Sequence, residues 1–229
     1  MKILALDTAS SWCAAAVYDS GSGAVLAEVS EDIGKGHAEV LMDYIERTMA
    51  QSGIAMSELD RVAVNVGPGS FTGVRIGVSA ARGFALALDR PAIGVSAFDA
   101  LASEVATSHP GQPALILLEA HRGEIYAQVF GADGEATTGP MVLVREEALA
   151  LIQQQSSGTI LAGSAATALS ETLAGAFSVA HVEPTGHIGT YAKLAALREP
   201  GEAPKPLYMR GPDVKPQTGF ALPRKASGE

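Results

Sequence analysis

A short apolar run that ends in an acidic residue occurs twice in this chain, and this repeat constrains the fold more than any other sequence feature. The first copy is Ile3-Leu4-Ala5-Leu6-Asp7, and Leu115-Ile116-Leu117-Leu118-Glu119 follows it at a shift of 112 residues. The same shift aligns Val17-Tyr18 with Val129-Phe130. Apolar strands that end in an acid are common, so coincidence is an alternative. The pattern nevertheless favours a duplicated α/β fold.

The order of predicted elements supports the duplication. Apolar periodicity and turn residues predict the order βββαβαβα in the first half, at 2–6, 12–18, 24–30, 37–51, 61–66, 71–88, 91–95 and 97–107. From about residue 114 the pattern begins again, with further strands near 141–144 and 158–163 and a helix at 145–155. We therefore predict two lobes, 1–108 and 109–210, and a mobile Pro- and Gly-containing tail at 211–229.

The net charge and the cysteine content indicate which partners and which cellular compartment suit this chain. The net charge is −9, which argues against extensive binding of nucleic acid, because phosphate backbones are held mainly by Lys and Arg. The single cysteine, Cys13, excludes an intramolecular disulfide and fits a reducing compartment. The N-terminal apolar run is too short for a secretory signal, and no run approaches the length of a membrane span. We expect a soluble cytoplasmic protein without a membrane partner.

The most distinctive segment is the glycine-rich run Gly67-Pro68-Gly69-Ser70-Phe71-Thr72-Gly73-Val74-Arg75-Ile76-Gly77. It lacks the Gly-Lys-Ser/Thr ending of a P-loop, and its third glycine comes one residue too late for a dinucleotide-binding fingerprint. The simplest interpretation is a sharp strand-to-helix turn, with Ser70 or Thr72 capping the helix. A helix N-terminus with free amides could also hold an anion.

Small residues recur every four positions along the helix after this turn, at Gly73, Gly77 and Ala81. Glycine inside a helix costs about 1 kcal/mol relative to alanine, so two of them require a reason. A stripe of small residues allows another backbone to approach closely, and that neighbour is either the first helix of this chain or a helix of another subunit. If the stripe faces the sheet, we expect Phe71, Val74 and Val78 to leave an apolar outer surface. We favour a partner interface.

Two acidic residues end the repeated first strands, Asp7 beside Thr8 and Ser10, and Glu119 in the second half. Carboxylates that face each other across a cleft could hold Mg²⁺ through water and position the phosphates of a nucleotide. The alternative is that Asp7 and Ser10 accept hydrogen bonds from amides of their own turn.

The other reactive residue types do not form a recognisable site. The five histidines, at 37, 109, 121, 181 and 187, lack metal-ligand spacing, and the chain has no Gly-x-Ser-x-Gly elbow. Cys13 lies among alanines in a predicted strand, as an inert packed thiol would. We predict no metal site and no catalytic residue.

The glycine-rich run resembles the corresponding segment of the TsaB (YeaZ) family, accessory subunits of the bacterial machinery that makes threonylcarbamoyladenosine in tRNA. Four other segments fit the same family: 3–8, His37-Ala38-Glu39, Gly94-Val95-Ser96 and Pro206-Leu207-Tyr208-Met209-Arg210. The resemblance therefore extends over about residues 2–210.

The resemblance implies a duplicated actin-like, ribonuclease-H-like (ASKHA) fold of two βββαβα lobes. It implies a heterodimer with the catalytic relative TsaD, formed through the first two helices of each protein, and a homodimer in isolation through much the same surface. With the ATPase TsaE, such a complex transfers threonylcarbamoyl to N6 of the adenosine next to the tRNA anticodon. It further implies that tRNA is met only through the complex, and that ATP or ADP with Mg²⁺ would lie at the partner interface.

On this resemblance the partner-binding residues are expected on the first two helices. They are His37, Val40, Tyr44, Phe71, Gly73, Val74, Arg75, Gly77, Val78 and Ala81.

Departures from the catalytic relative imply a non-catalytic subunit. TsaD-like proteins carry two metal-binding histidines at places that Ala97 and Leu101 occupy here, and their adenosine-binding glycine pair is reduced to Gly163-Ser164. The alternative is a free-standing ATPase or phosphotransferase of the same fold. The candidate residues of the nucleotide cleft are Asp7, Thr8, Ser10, Glu119 and Gly163. A local basic patch in the tail would comprise Arg210, Lys215, Arg224 and Lys225.

Overall fold

A computed structural model describes residues 1–209 of the chain. The predicted order of elements is confirmed in the first half, and in the second half as far as residue 163. The strand Val179–Ala180, between the last two helices, was not predicted. The first half contains β1 (Lys2–Asp7), β2 (Trp12–Asp19), β3 (Ala24–Asp32), α1 (His37–Ser52), β4 (Arg61–Asn65), α2 (Phe71–Leu88), β5 (Ala92–Val95) and α3 (Ala97–Ser108). The second half contains β6 (Ala114–Glu119), β7 (Ile125–Phe130), β8 (Met141–Leu143), α4 (Arg145–Gln153), β9 (Ile160–Ala162), α5 (Ala166–Thr172), β10 (Val179–Ala180) and α6 (Ile188–Leu197). The tail at 211–229 and the basic residues Arg210, Lys215, Arg224 and Lys225 lie outside the described residues.

The two halves build sheets of the same topology, which confirms the duplicated α/β fold. Each sheet has five strands, in the order β3-β2-β1-β4-β5 and β8-β7-β6-β9-β10. The first three strands of each half pair as antiparallel hairpins, and the last two run parallel to the first. Parallel neighbours require a crossover, and helices supply it in both halves.

The third helix of each half covers the sheet of the other half. Helix α3 packs against β6 and β9 of the second sheet, and α6 packs against β1, β2 and β4 of the first. Phe98 and Leu101 of α3 are fully buried beside Ile116, and Tyr191 of α6 is fully buried beside Ile3. The two halves therefore share their inner cores and interlock.

Strand register corrects the alignment of the repeat by one residue. Leu4 pairs with Val17, and both face α1 and α2, whereas the matching pair in the second half is Leu115 with Val129. The shift of 112 is therefore correct for β2 and β7, but the first strands correspond at 111. Side chains alternate between the two faces of a strand, so a shift of one position moves every residue of the aligned strand to the opposite face. Glu119 is the counterpart of Thr8 and not of Asp7.

The small-residue stripe of α2 faces the sheet of its own chain. A Cβ added at Gly73 would lie 2.0 Å from the carbonyl oxygen of Thr8, and one at Gly77 would lie 2.6 Å from the Thr8 hydroxyl oxygen. Ser70 caps this helix by accepting a hydrogen bond from the Gly73 amide (3.2 Å), as the turn interpretation predicts. The glycines therefore allow α2 to approach the end of β1.

The prediction that the stripe meets a partner is consequently wrong. Gly73, Val74, Gly77, Val78 and Ala81 are all buried within the chain, where the side chains belong to the core formed with β1 and β4. Small residues allow close approach to any backbone, and in this fold the strand end that precedes the turn is the nearest one.

Helix α2 is also long and apolar enough, by length and composition alone, to cross a membrane. The core helices of globular domains pass the same test. About a third of its 18-residue window (33%) is buried, and the helix packs against β4, β1, β5 and α1. These contacts are those of a core helix.

A pair of glycine substitutions in α2 tests this packing. We expect Gly73→Ala to lower the free energy of unfolding by about 2 kcal/mol or more, because the new methyl group overpacks against the Thr8 backbone. At Gly83, in the same helix, an added Cβ meets open space. Gly83→Ala should therefore raise stability by roughly 0.5–1 kcal/mol through helix propensity. Urea unfolding measures both, and equal effects would contradict the close approach of α2 to β1.

Candidate functional site

Helices α1 and α2 lie on the same side of the first sheet, and their outward residues form one surface, here called the outer face. Three large apolar side chains are exposed on it: Met42 (56%), Phe71 (47%) and Leu86 (86%). Exposed apolar groups that share one surface indicate an interaction site more strongly than isolated ones. The outer face comprises Glu39, Met42, Asp43, Glu46, Arg47, Phe71, Thr72, Arg75, Ser79, Arg82 and Leu86.

The charges of the outer face are divided between its two helices. Helix α1 presents three acidic residues, Glu39, Asp43 and Glu46, and one basic residue, Arg47, which pairs with Asp43 (3.4 Å). Helix α2 presents only basic charges, Arg75 and Arg82. One half of the surface is therefore mainly acidic and the other basic and apolar, and such a surface complements a copy of itself or of a relative related by a two-fold axis.

Of the predicted partner-binding residues, Phe71 and Arg75 are exposed and Val40 is half-buried, but His37 and Tyr44 are buried. His37 Nε2 lies 3.1 Å from the carbonyl oxygen of Trp12. The Tyr44 hydroxyl donates to Glu31 (2.7 Å), and this hydrogen bond raises the pKa of Tyr44 to about 12. The prediction of direct contact is wrong for His37 and Tyr44, because their side chains fix α1 to the sheet.

Residues 207 and 208 bind to the start of α2 and to the residue that follows β4. The Arg75 guanidinium lies 3.7 Å from the centre of the Phe71 ring, and its Nε donates to the Tyr208 hydroxyl (2.6 Å). The two aromatic rings are 5.3 Å apart, and the Leu207 amide donates to the carbonyl of Val66 (2.7 Å). Residues 207 and 208 therefore extend the outer face beyond the two helices.

Met42, Leu86 and Tyr208 were not predicted as site residues. Met42 and Leu86 could have been found by following the helical face opposite the buried positions, since both are apolar where a solvated helix would be polar. Tyr208 carries no such signal, because its neighbour Arg75 is distant in sequence.

A cleft with a volume of about 890 Å³ lies between the lobes, beside the outer face. Residues at the N-termini of α1 and α2 line it. Ser10 and Glu119, two of the candidate residues, lie in its wall. Its other polar lining residues include Ser11, Lys35, His37, Ser70, Thr72, His121, Tyr126 and Ser164.

Asp7 does not face Glu119 across this cleft, so the predicted pair of carboxylates is wrong. Asp7 is 1% exposed, and its oxygens accept hydrogen bonds from the Ala9 amide (2.8 Å), the Asn65 amide group (3.0 Å) and the Thr185 hydroxyl (2.5 Å). Burial raises the pKa of Asp7 above its usual range. Its side chain connects the end of β1 to the start of α6.

The remaining candidates of the nucleotide cleft also have structural partners. Thr8 donates to the carbonyl of Gly73 (2.7 Å), and the Ser10 hydroxyl accepts from the Trp12 amide (3.1 Å). Gly163 has a φ of 96°, and a Cβ there would lie 2.4 Å from the carbonyl oxygen of Leu117. Asp7, Thr8 and Gly163 do not line the described cleft, so their predicted place in its wall is wrong.

Asn65, Thr185 and Tyr191 complete a buried polar cluster around Asp7 that sequence analysis missed. The Asn65 amide group also lies 3.0 Å from the Tyr191 hydroxyl, which is 2.6 Å from the Thr185 hydroxyl. Burial raises the pKa of Tyr191 well above its usual value. A polar residue directly after the apolar run 62–64 of β4 is the sequence signal that could have indicated Asn65.

Comparison with known proteins identifies relatives of this chain. Residues 25–184 match the family described as TsaD, tRNA N6-adenosine threonylcarbamoyltransferase. The chain is 32% identical over 133 residues to the tRNA threonylcarbamoyladenosine biosynthesis protein TsaB of Escherichia coli, a match covering 58% of this chain and 56% of that protein. An uncharacterized protein of Mycobacterium tuberculosis is 31% identical over 216 residues, covering 93% of this chain and 94% of its own. The match to the Escherichia coli protein thus spans about half of that protein's length.

A solved structure agrees with these sequence matches. YeaZ from Pseudomonas aeruginosa superimposes with a TM-score of 0.71 at 26% identity, over 86% of this chain and 92% of that one. Fold and matches define a protein of the duplicated actin-like class to which TsaD belongs. Within this class, the chain belongs to the TsaB/YeaZ family.

The buried carboxyl of Asp7 gives a pH-dependent prediction. A carboxyl whose pKa is raised by folding binds more protons in the folded chain, so stability falls as pH rises from about 3.9, the usual aspartate value, towards the folded pKa. Asp7→Asn should remove this part of the pH dependence and be at least as stable as the parent at neutral pH. The amide keeps an acceptor for Ala9 and Asn65 and supplies a donor to Thr185.

Urea unfolding across this pH range measures the difference in slope between the parent and Asp7→Asn. Asp7→Ala serves as the matched control, and should lose about 1–3 kcal/mol because buried donors then lack their acceptor. A large loss of stability in Asp7→Asn at neutral pH would show instead that the folded chain requires the charged carboxylate.

Proposed function

We propose that this protein is a non-catalytic subunit in the biosynthesis of threonylcarbamoyladenosine in tRNA, and that it binds a TsaD-like enzyme through the outer face. The names of its TsaB relatives support the pathway. The observation that carries the proposed binding is the exposure of Met42, Phe71 and Leu86 together on the outer face. Burial of such groups against a partner provides a driving force for association.

The shared fold of the two proteins supports this mode of binding. A TsaD-like partner has the same type of domain, so it can present its own first two helices across a pseudo-two-fold axis. The acidic α1 surface of this chain would then face a partner's second helix, while Arg75 and Arg82 would face its first. Two copies of this chain can pair by the same operation, so the proposal includes a homodimer in isolation.

A non-catalytic role is supported by the use that the structure makes of the positions concerned. Ala97 and Leu101 stand at the places of the metal-binding histidines of TsaD-like enzymes. Both belong to α3 and are fully buried in the core that α3 forms with the second sheet. The Asp7 carboxylate is taken up by hydrogen bonds within the chain. These contacts hold α3 and α6 in place, and the oxygens of Asp7 accept hydrogen bonds from the chain's own groups.

The position of the cleft supports a nucleotide site at the proposed boundary with the partner subunit. His37 and Thr72 line it at the N-termini of α1 and α2, beside the outer face. We propose that ATP or ADP with Mg²⁺ binds there between the subunits and is not held tightly by this chain alone. A TsaE-like ATPase completes the proposed machinery, and the net charge of −9 supports contact with tRNA only through the complex.

The alternative function is a free-standing ATPase or phosphotransferase, favoured by the volume of the cleft and the position of Glu119 in its wall. It requires turnover of ATP by the isolated chain. Turnover that Glu119→Gln abolishes would favour the alternative over the accessory role.

The outer face gives a direct test with a matched control. Leu86→Asp should weaken binding to the TsaD-like protein of the same organism at least tenfold, because a charge replaces an apolar contact. Leu197→Asp changes a leucine of nearly equal exposure (82% against 86%) at the end of α6, outside the outer face, and should bind as the parent does. Size-exclusion chromatography with light scattering detects the complex, and calorimetry measures its affinity.

Both variants should remain folded, since both side chains point into solvent. Equal binding by the Leu86→Asp variant and the parent would exclude the outer face as the interface. A complete failure of the parent to associate, with or without ATP, would refute the proposed partnership.

A further inference from the structure

Two histidines that are 72 positions apart in the sequence converge on one hydroxyl group at the seam between the lobes. His181 Nε2 lies 2.8 Å from Ser108 Oγ, and His109 Nδ1 lies 2.9 Å from the same oxygen. His109 is the C-cap residue that directly follows α3, and His181 lies in the loop between β10 and α6. These residues belong neither to the outer face nor to the lining of the described cleft.

A carboxylate orients the second ring nitrogen of His181. His181 Nδ1 lies 3.4 Å from Glu104 Oε2, and the Glu104 side chain is only 16% exposed. The other oxygen of Glu104 accepts from the His187 amide (2.7 Å) and the Thr190 hydroxyl (2.8 Å), so the carboxylate is held in place. His181 thus has one ring nitrogen beside a fixed carboxylate and the other directed at the Ser108 hydroxyl. A histidine that binds a metal commonly has its second nitrogen supported by a carboxylate in the same way.

The same atoms have the order of a serine–histidine–acid relay, but their position disfavours a nucleophile. Ser108 Oγ donates to the carbonyl of Glu104 (2.9 Å) in its own helix. It lies in the last turn of α3, where carbonyl oxygens and the negative end of the helix dipole would oppose an oxyanion. The geometry therefore favours metal binding over acyl transfer.

We propose that His109 and His181 bind a divalent transition-metal ion of the zinc type through His109 Nδ1 and His181 Nε2. Imidazole nitrogen suits Zn²⁺, Ni²⁺ and Cu²⁺. Within residues 1–209 no group of three or more His, Cys, Asp or Glu side chains is placed to hold a metal. The ion would take the place of the Ser108 hydroxyl between the two ring nitrogens, and water would complete its coordination. Binding would therefore be weaker than at a closed structural zinc site.

Such an ion would connect the two halves of the chain. His109 follows the helix that the first half contributes to the second sheet, and His181 precedes the helix that the second half contributes to the first sheet. A metal that binds the folded chain and not the unfolded one stabilises it by mass action. This inference is independent of the proposed function.

Calorimetric titration of ZnCl₂ into the full chain, free of chelator and of any polyhistidine tag, tests the site. One ion per chain is expected, together with a zinc-dependent rise in the midpoint of thermal unfolding. His109→Gln and His181→Gln should each abolish both effects, and Glu104→Gln should weaken binding by about 10- to 100-fold. His121→Gln, at an exposed histidine in the cleft, is the matched control and should bind as the parent does.

Absorption of bound Co²⁺ provides a second measurement that does not depend on stability. The parent and His121→Gln should show the same visible bands, and His109→Gln should lose them even if His181→Gln does not fold. Zinc binding that survives both His109→Gln and His181→Gln would overturn the proposal, as would absence of binding in the parent.

Discussion

The close approach of α2 to the end of β1 is the constraint on which the other features of the first half depend. Thr8 donates to the carbonyl of Gly73, and the absence of side chains at Gly73 and Gly77 lets the helix axis lie against the strand end. The same contact turns Val74 and Val78 into the core. It thereby leaves Leu86 on the outer face and the N-terminus of α2 at the cleft, so the proposed interface and the cleft follow from one packing contact.

The exchange of α3 and α6 between the halves explains why the first acid of the chain is buried. Helix α6 covers the first sheet on the side towards which Asp7 points, and Thr185 and Tyr191 bring hydroxyl groups to its carboxyl. A buried carboxyl requires hydrogen-bond partners, and Asn65 supplies another. Asp7, which was predicted to face a nucleotide cleft, instead joins the two halves through Thr185. This agrees with the proposed accessory role.

Strand and helix order, the duplication and the cap at Ser70 were predictable because they depend on local periodicity and turn chemistry. The face that each residue occupies was less predictable. The loop between β6 and β7 is one residue longer than that between β1 and β2, and this difference placed Asp7 and Glu119 on different sides of their strands. No hydrophobic pattern reports a shift of one residue between two continuously apolar strands.

The sequence by itself determined the fold class, the family resemblance and the existence of a small-residue stripe, because apolar spacing and glycine positions are properties of neighbouring residues. Only the tertiary structure decided that the stripe faces the chain's own β1, that Met42 and Leu86 are exposed, and that His109 and His181 meet at Ser108. The reason is physical: which side of a helix turns inward, and which distant loops meet, depend on how whole layers pack. Packing between layers joins residues that periodicity along the chain does not connect.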